Sequence, residues 1–204
     1  MCSARWGADL PLWIFTMQRR EKQGGKDKNM EHSEKLSIRT ADRSDLKDIL
    51  ALYAGAIQKM RDEGIDQWDE IYPDGKMLSA DVENRDMLLL VEDGKPVSAV
   101  AVNAEQSPEY ESVGWRICRA GPPGVIHRLC VSAGAQGGGM GSRTLKAAER
   151  FALSRGYRCI RLDAFVKNPQ AIRLYESAGY QRAGTVTFRK GAFICYEKLL
   201  EGLK

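Results

Sequence analysis

The chain predicts an α+β domain built around a mixed central sheet, and three observations carry that expectation. Short apolar runs and amphipathic helical stripes interleave in the order β-α-α-β-β-β-α-β-α-β-β, with no internal repeat. Gly and Pro signals fall between these runs and end them. The length of 204 residues, with 43% hydrophobic and 28% charged residues, is that of one soluble domain able to bury a good core.

Each element has its own warrant. Patterned sequence begins near Leu36, where "LSIRT" reads as a short strand. Asp42 or Ser44 can cap a helix whose apolar positions Leu46, Ile49, Leu50, Tyr53, Ile57 and Met60 form one stripe. "EGIDQWDEIYPDG" breaks that helix, and a shorter one is predicted over 75–82. "DMLLLVED", the turn signal "GK" and "PVSAVAVNAE" read as a strand and its return. A loop with Pro122 and Pro123 leads to the strand "GVIHRLCVS". A glycine-rich stretch then opens a helix running to about residue 154, which Gly156 stops. "YRCIRLDAF" is the next strand. Asn168 and Pro169 open another helix as cap and first residue, and Gly179 ends it. "VTFRK-GA-FICYEKLL" closes the chain as a hairpin.

Residues 1–35 read differently, and the expected division is an N-terminal extension over 1–35 and a folded domain over 36–204. The stretch over 18–35 is charged and glycine-bearing, the composition of a disordered segment; the extension reads either as an appendage, with Met30 a candidate alternative start, or as a small hydrophobic docking segment. "ADLPLWIFTM" covers only ten positions, too few to span a bilayer, and its flanks are wrong for a secretory signal, so no membrane partner is expected. The net charge of +4 is mild and no face is dominated by Lys and Arg, which argues against a nucleic-acid partner. Five cysteines, an odd count at wide spacings without C-x-x-C, argue against a disulfide framework or a metal site and fit a reducing cytoplasm. Cys130 and Cys159 lie in apolar runs and read as small core residues.

The chemistry starts at "AQGGGMGSRTLKAAER", residues 135–150, where four of the first seven residues are glycine. A helix N-terminus presents unpaired N–H groups and partial positive charge, and glycines let an anion approach them. The nucleoside-triphosphate loop requires a Lys after its last glycine, and none follows Gly141. The dinucleotide fingerprint finds two of its glycines at Gly139 and Gly141, with Asp163 about twenty residues on, but Thr144 takes the third glycine's place. Too little chain follows for a doubly wound sheet, which argues against a nicotinamide oxidoreductase; that third class would require binding of NAD in preference to acetyl-CoA. A tight turn without a ligand would not need four glycines in five residues.

A third pattern fits. Gln136-Gly137-Gly138-Gly139-Met140-Gly141 matches Q/R-x-x-G-x-G/A between a strand and a helix, and "NPQAIRLYESAGY" supplies Asn168, Ala171, Leu174, Tyr175, Gly179 and Tyr180 at matching spacing. Together these resemble the acyl-CoA signature and second motif of the GNAT acetyltransferase superfamily, over roughly residues 36–200. "QWDEIYPD" with "GVIHRLCV" is similar, more loosely, to a bacterial subgroup of uncharacterised acetyltransferases.

The resemblance implies a mostly antiparallel sheet flanked by about four helices, with strands splayed at the acyl-CoA site. It implies acetyl-CoA as co-substrate, no metal, and an assembly that is often a homodimer. The N–H groups of residues 137–142, Ser142 included, would face the pyrophosphate, with Gln136 adding a side-chain donor. The strand bearing Leu129, Cys130 and Val131 would pair its backbone with pantetheine, and the N–H of Cys130 or Val131 would polarise the thioester carbonyl. Asn168 and Ala171 would contact the same arm, beside the capping role of Asn168. Transfer is direct, so no reactive Cys is required.

Tyr175 is the leading acid, a phenol able to protonate a departing thiolate, although helix position alone equally suits core packing. His127 is a candidate base, expected to alternate with Val125, Leu129 and Val131 on one strand face; a structural, hydrogen-bonded His is the other reading. Where family members often carry a Glu on this strand the chain has none, which leaves Glu105 or a water relay as alternative bases. Trp68, Asp69 and Glu70 lie where the family builds its acceptor wall and would suit a cationic amine; a solvated loop with one buried Trp is the alternative. The expected activity is N-acetylation of a primary amine on a small molecule or peptide. The second class is a non-catalytic acyl-CoA-binding or sensing module on the same fold.

Overall fold

The computed structural model describes residues 36–118 and 122–200, so the expectation for residues 1–35 lies outside it. β1 (Ser37–Thr40) leads into a reciprocal cap: the Asp42 carboxylate accepts from the Ser44 N–H at 2.8 Å, and Asp45 accepts from the Asp42 N–H at 2.9 Å. That turn launches α1 (Leu46–Asp62), which buries Ile49, Leu52, Tyr53 and Ala56, while Leu50 of the predicted stripe turns outward at 43% exposure. Asp74 caps α2 (Gly75–Glu83) through the Met77 N–H. Then follow β2 (Met87–Glu92), β3 (Lys95–Asn103), a tight turn at Pro108–Ser112 and β4 (Gly124–Val131). α3 (Met140–Ser154), β5 (Cys159–Phe165), α4 (Pro169–Ser177), β6 (Gln181–Phe188) and β7 (Gly191–Leu199) complete the order.

The seven strands form one sheet in the order β1-β2-β3-β4-β5-β7-β6. Every neighbouring pair is antiparallel except β4 and β5. β2 is buried on both faces, because alternate residues feed opposite cores. Leu88 joins Val100, Ile126, Leu145 and Tyr175 on the α3–α4 side; Leu89 and Ala99 join Ile49, Tyr53 and Leu78 on the α1–α2 side. The four helices therefore cover both faces of a mixed, mostly antiparallel sheet, as expected.

Two local features shape the middle of the sheet. The parallel pair is short, with only Gly124↔Ile160 and Val125↔Arg161 in register, so β4 and β5 part from residue 126 onward. β4 also carries a bulge: Ala101 faces His127 and Ala99 faces Cys130, which leaves one extra residue on β4, and Arg128 takes φ 54. That strained turn is held by a buried fork from Arg128 to Asp81 at 2.6 and 3.0 Å and by the Tyr53 hydroxyl donating to the Arg128 carbonyl at 2.6 Å. The bulge corrects the predicted alternation. Leu129 and Val131 pack towards α3, while Cys130 packs with α1, so His127 does not share their face.

A buried hydroxyl chain ties α3 to this strand. The Ser98 hydroxyl lies 2.6 Å from the Cys130 carbonyl and 2.7 Å from the Thr144 hydroxyl, which lies 2.8 Å from the Met140 carbonyl; with one proton on each hydroxyl, two of these three contacts are hydrogen bonds at a time. On the other side of the sheet, a strap over residues 108–118 crosses β5 and β7. The buried Glu197 carboxylate accepts the backbone N–H groups of Arg116, Ile117 and Cys118, and Cys118 is disulfide-bonded to Cys159 at a Cα separation of 5.7 Å. The disulfide corrects the cysteine reading. Spacing along the chain gave no sign of it, because Glu197 brings the strap back to the start of β5 from 41 residues away. With it goes the cysteine argument for a reducing compartment. Cys130 and Cys195 stay as buried thiols.

Candidate active site

The glycine stretch sits where β4 hands over to α3. Gly137 and Gly139 have φ of 83° and 75°, left-handed values that an L side chain resists. A Cβ at either position would meet nothing within 4 Å. Backbone conformation, not crowding, thus selects glycine, and the space before the loop is open. Gly139 is the N-cap of α3 with no side-chain cap, so the first N–H groups of the helix point out unsatisfied, an anion-binding arrangement. Gly141 has a different reason: its Cβ would come within 3.4 Å of Leu174, so glycine lets α4 lie close.

This loop opens onto a cavity of about 680 Å³ that also takes in the separated edge of β4, α4 and the segment between α1 and α2. Of the predicted co-substrate residues, Leu129, Cys130, Val131, Gln136, Gly137, Gly139, Met140, Gly141, Ser142, Asn168 and Ala171 line it; Gly138 does not. Gln136 folds back and donates to the Val131 carbonyl at 3.2 Å, bracing the loop. Asn168 accepts the Ala171 N–H at 3.0 Å as the α4 cap and donates to Gln67 at 2.9 Å. Burial pushes the Cys130 thiol up to about 12, which keeps it protonated and a poor nucleophile.

Tyr175 lines the cavity from α4, with its ring against Tyr180 and Tyr196. Burial, then the nearby Asp163 and Tyr196, raise its phenol above the ordinary value, so it holds its proton at neutral pH. His127 also faces the cavity; its Nε2 lies 3.0 Å from the Asn103 side-chain oxygen. Burial, with the Arg128 charge beside it, pushes the imidazole down to about 4 against a smaller opposing pull from the Glu105 backbone. The Glu105 side chain is exposed in the loop after β3 and outside the cavity lining.

The predicted acceptor wall is divided. Trp68 is buried against Tyr53 and lines the cavity. Asp69 is turned to structure: it accepts the Ile71 and Tyr72 N–H groups and binds Arg189 and Lys190, which together hold its carboxyl well below the usual range. Glu70 is exposed and pairs with Arg61 at 2.6 Å. Neither carboxylate lines the cavity.

The cavity contains a carboxylate, Asp163, that figures in the sequence only as the acidic position of the dinucleotide fingerprint. Asp163, half-buried on β5, accepts the Tyr110 hydroxyl at 2.7 Å, and burial pushes it up to about 6. The usable signal was an Asp inside the strand run "CIRLDAF", a residue type depleted in strands. Tyr110 comes from the strap, fixed by the Trp115 indole donating to its carbonyl at 2.9 Å. Among the described residues no cluster of His, Cys, Asp and Glu could hold a metal ion, and no helix is long and apolar enough to cross a membrane.

A glycine-lined helix start beside two parting strands, with a phenol and a carboxylate facing the same space, defines a class of proteins that bind an extended, anionic co-substrate for group transfer. The chain belongs to the acetyltransferase (GNAT) family, whose sequence profile matches residues 51–180. No curated protein matches it. Among solved structures, a GNAT-family acetyltransferase from Streptococcus agalactiae is 23% identical with a TM-score of 0.73, covering 82% of this chain and 97% of that one. A putative acetyltransferase from Staphylococcus aureus is 26% identical (TM-score 0.63; 80% and 99% covered). The yncA protein of Salmonella typhimurium, a putative acetyltransferase solved with its cofactor acetyl-CoA, is 21% identical (TM-score 0.61; 82% and 95% covered).

Proposed function

We propose that this chain transfers an acetyl group from acetyl-CoA directly to a primary amine of a small molecule or peptide. The observation that carries this reading is the opening of the glycine loop, the β4–β5 gap and Tyr175 onto one cavity. The α3 N-terminus supplies N–H donors for the pyrophosphate, and the left-handed glycines keep side chains out of its way. The edge of β4 past Val125 is unpaired by β5 and offers backbone groups to a pantetheine arm, as a sheet edge offers them to an added strand. When bound, acetyl-CoA supplies an acyl carbon activated as a thioester. Tyr175 holds a proton for the departing sulfur. The buried, protonated Cys130 takes no part as a nucleophile.

Gly139→Asp is the test. It places a carboxylate before the helix start and forces an L residue into a left-handed position, so the rise in melting temperature that acetyl-CoA gives the wild type should vanish. A variant that still folds and keeps the full ligand-induced rise would refute the assignment of the loop. CoA release over an amine panel then separates an enzyme from a binding module.

A further inference from the structure

We propose that Asp163 receives the acceptor: its carboxylate anchors the ammonium of a primary amine carried on an apolar chain or ring, and takes the proton that blocks attack. The proposal rests on the acetyl-transfer reading above and names its substrate class and its base.

Position is the first argument. β4–β5 pairing ends at Arg161, and Asp163 lies two residues further along β5, on the wall of the gap. It shares a strand face with Phe165, towards the strap and the α1–α2 segment and away from the α3 core. The second argument is valence. Oδ2 accepts the Tyr110 hydroxyl, while Oδ1 has no protein donor among the described residues. The other carboxylates lining the cavity differ: Glu63 is paired with Lys59 at 2.6 Å, and Glu109 is exposed on the strap. A half-buried anion with one oxygen unclaimed is a place for a cation that brings its own compensation.

The surroundings set the rest of the acceptor. Ile65, Tyr110, Phe188 and Phe193 line this end of the cavity, where they pack in one apolar cluster with Phe165 and Val186, Phe188 edge-on against Phe193. The cations at the rim are already neutralised, Lys190 by Asp66 and Asp69 and Arg189 by Asp69. One half-buried carboxylate with an unclaimed oxygen beside an apolar cluster suits a single ammonium on an apolar body better than a polycation or an anion.

Acidity supports the geometry. Burial holds Asp163 at about 6, near neutrality, where a carboxylate is a competent base. The groups facing it are Tyr110 and Glu109 on the strap, Tyr72 between α1 and α2, His127 and Arg128 on β4, Tyr175 on α4, Cys195 with Glu197 on β7, and Arg161 one pleat back. Of these only Tyr110 donates to it, and that bond lowers its pKa.

The step balances. The ammonium N–H bond breaks and its proton goes to Asp163. The nitrogen lone pair forms the C–N bond, and the C–S pair leaves with sulfur, which takes the Tyr175 proton. The excess proton on the amide nitrogen returns to the Tyr175 phenolate. Asp163 gives its proton to water, so the net products are the acetamide, CoA thiol and one proton.

The test uses the full chain, acetyl-CoA and 2-phenylethylamine as probe acceptor, with spermidine as the polycationic contrast. Wild type should acetylate phenylethylamine with the higher kcat/KM, and its pH profile should show an acid limb near 6. Asp163→Asn should lower kcat/KM by roughly 10²–10⁴-fold while the acetyl-CoA-induced thermal shift persists. Tyr110→Phe, which keeps the ring, should move the acid limb to higher pH, because it removes the donor that favours the ionised carboxylate. An Asp163→Asn variant within threefold of wild type, an acid limb unmoved in Tyr110→Phe, or a preference for spermidine would each overturn the proposal while leaving acetyl transfer standing. A wild-type protein with neither a CoA-induced shift nor CoA release would instead overturn the acetyl-transfer reading, and this proposal with it.

Discussion

Replacing Asp163 by Asn should stabilise the protein, in a way that depends on pH. Burial moves this carboxyl from 3.8 to about 6, so the folded state holds its proton after the unfolded chain has lost it. Between those values the native state binds more protons, and stability falls as pH rises. The contribution of the neutral acid is fully present below the ordinary value and gone above pH 6. At about 1.4 kcal/mol per tenfold change in acidity, the ionised group costs the fold about 3 kcal/mol at neutral pH. Asn cannot ionise, and its side-chain oxygen can still accept the Tyr110 hydroxyl. Urea unfolding of both proteins from about pH 4 to about pH 8 reads this directly. The variant should gain on wild type across the acid range by up to about 3 kcal/mol and then hold its lead. Parallel stability curves, with a gap changing by less than about 0.5 kcal/mol, would show that Asp163 is not perturbed and would refute the reasoning. A gain in stability beside a loss of turnover is the usual signature of a site held in a strained state for function.

Two further outcomes follow from the geometry. Tyr175→Phe keeps the ring and its packing, so acetyl-CoA should bind as before while kcat falls roughly 10²–10⁴-fold; a fall of less than about threefold would remove the hydroxyl from the chemistry. Cys118→Ser opens a crosslink spanning 41 residues, which a chain-entropy estimate values at about 4 kcal/mol, so the melting temperature should drop in non-reducing buffer and match that of reduced wild type; equal melting temperatures for the variant and the oxidised wild type would refute it.

How much the sequence disclosed follows from the range of each interaction. The elements were legible because their causes are local: the Asp42 and Asn168 caps, the α1 stripe, and glycines at helix ends. The loop was legible because left-handed glycines before a helix carry a chemical meaning of their own. The bulge at Arg128 was not, since nothing in "IHRLC" marks an extra residue; it is held by partners far along the chain, Asp81 47 positions away among them, and it reverses the face that strict alternation assigns. Asp69 looked available because its partners, Arg189 and Lys190, arrive on the β6–β7 turn. Cys118 and Cys159 looked unrelated because the Glu197 clamp that aligns them is invisible in composition. Long-range pairings, more than any weakness of pattern, are what the chain concealed.

The Ser98–Thr144 hydroxyl chain has a consequence for the reach of the site. It joins the first turn of α3 to the Cys130 carbonyl through buried contacts of 2.6 to 2.8 Å. The end of the cavity at the α3 N-terminus and the strand edge at the gap are thereby held at one distance, like the two jaws of a caliper. Sliding one jaw against the other would pull these buried hydroxyls out of hydrogen-bonding range. Under the proposed function, the length of co-substrate the cavity admits is thus governed by Ser98 and Thr144, two buried residues outside its lining.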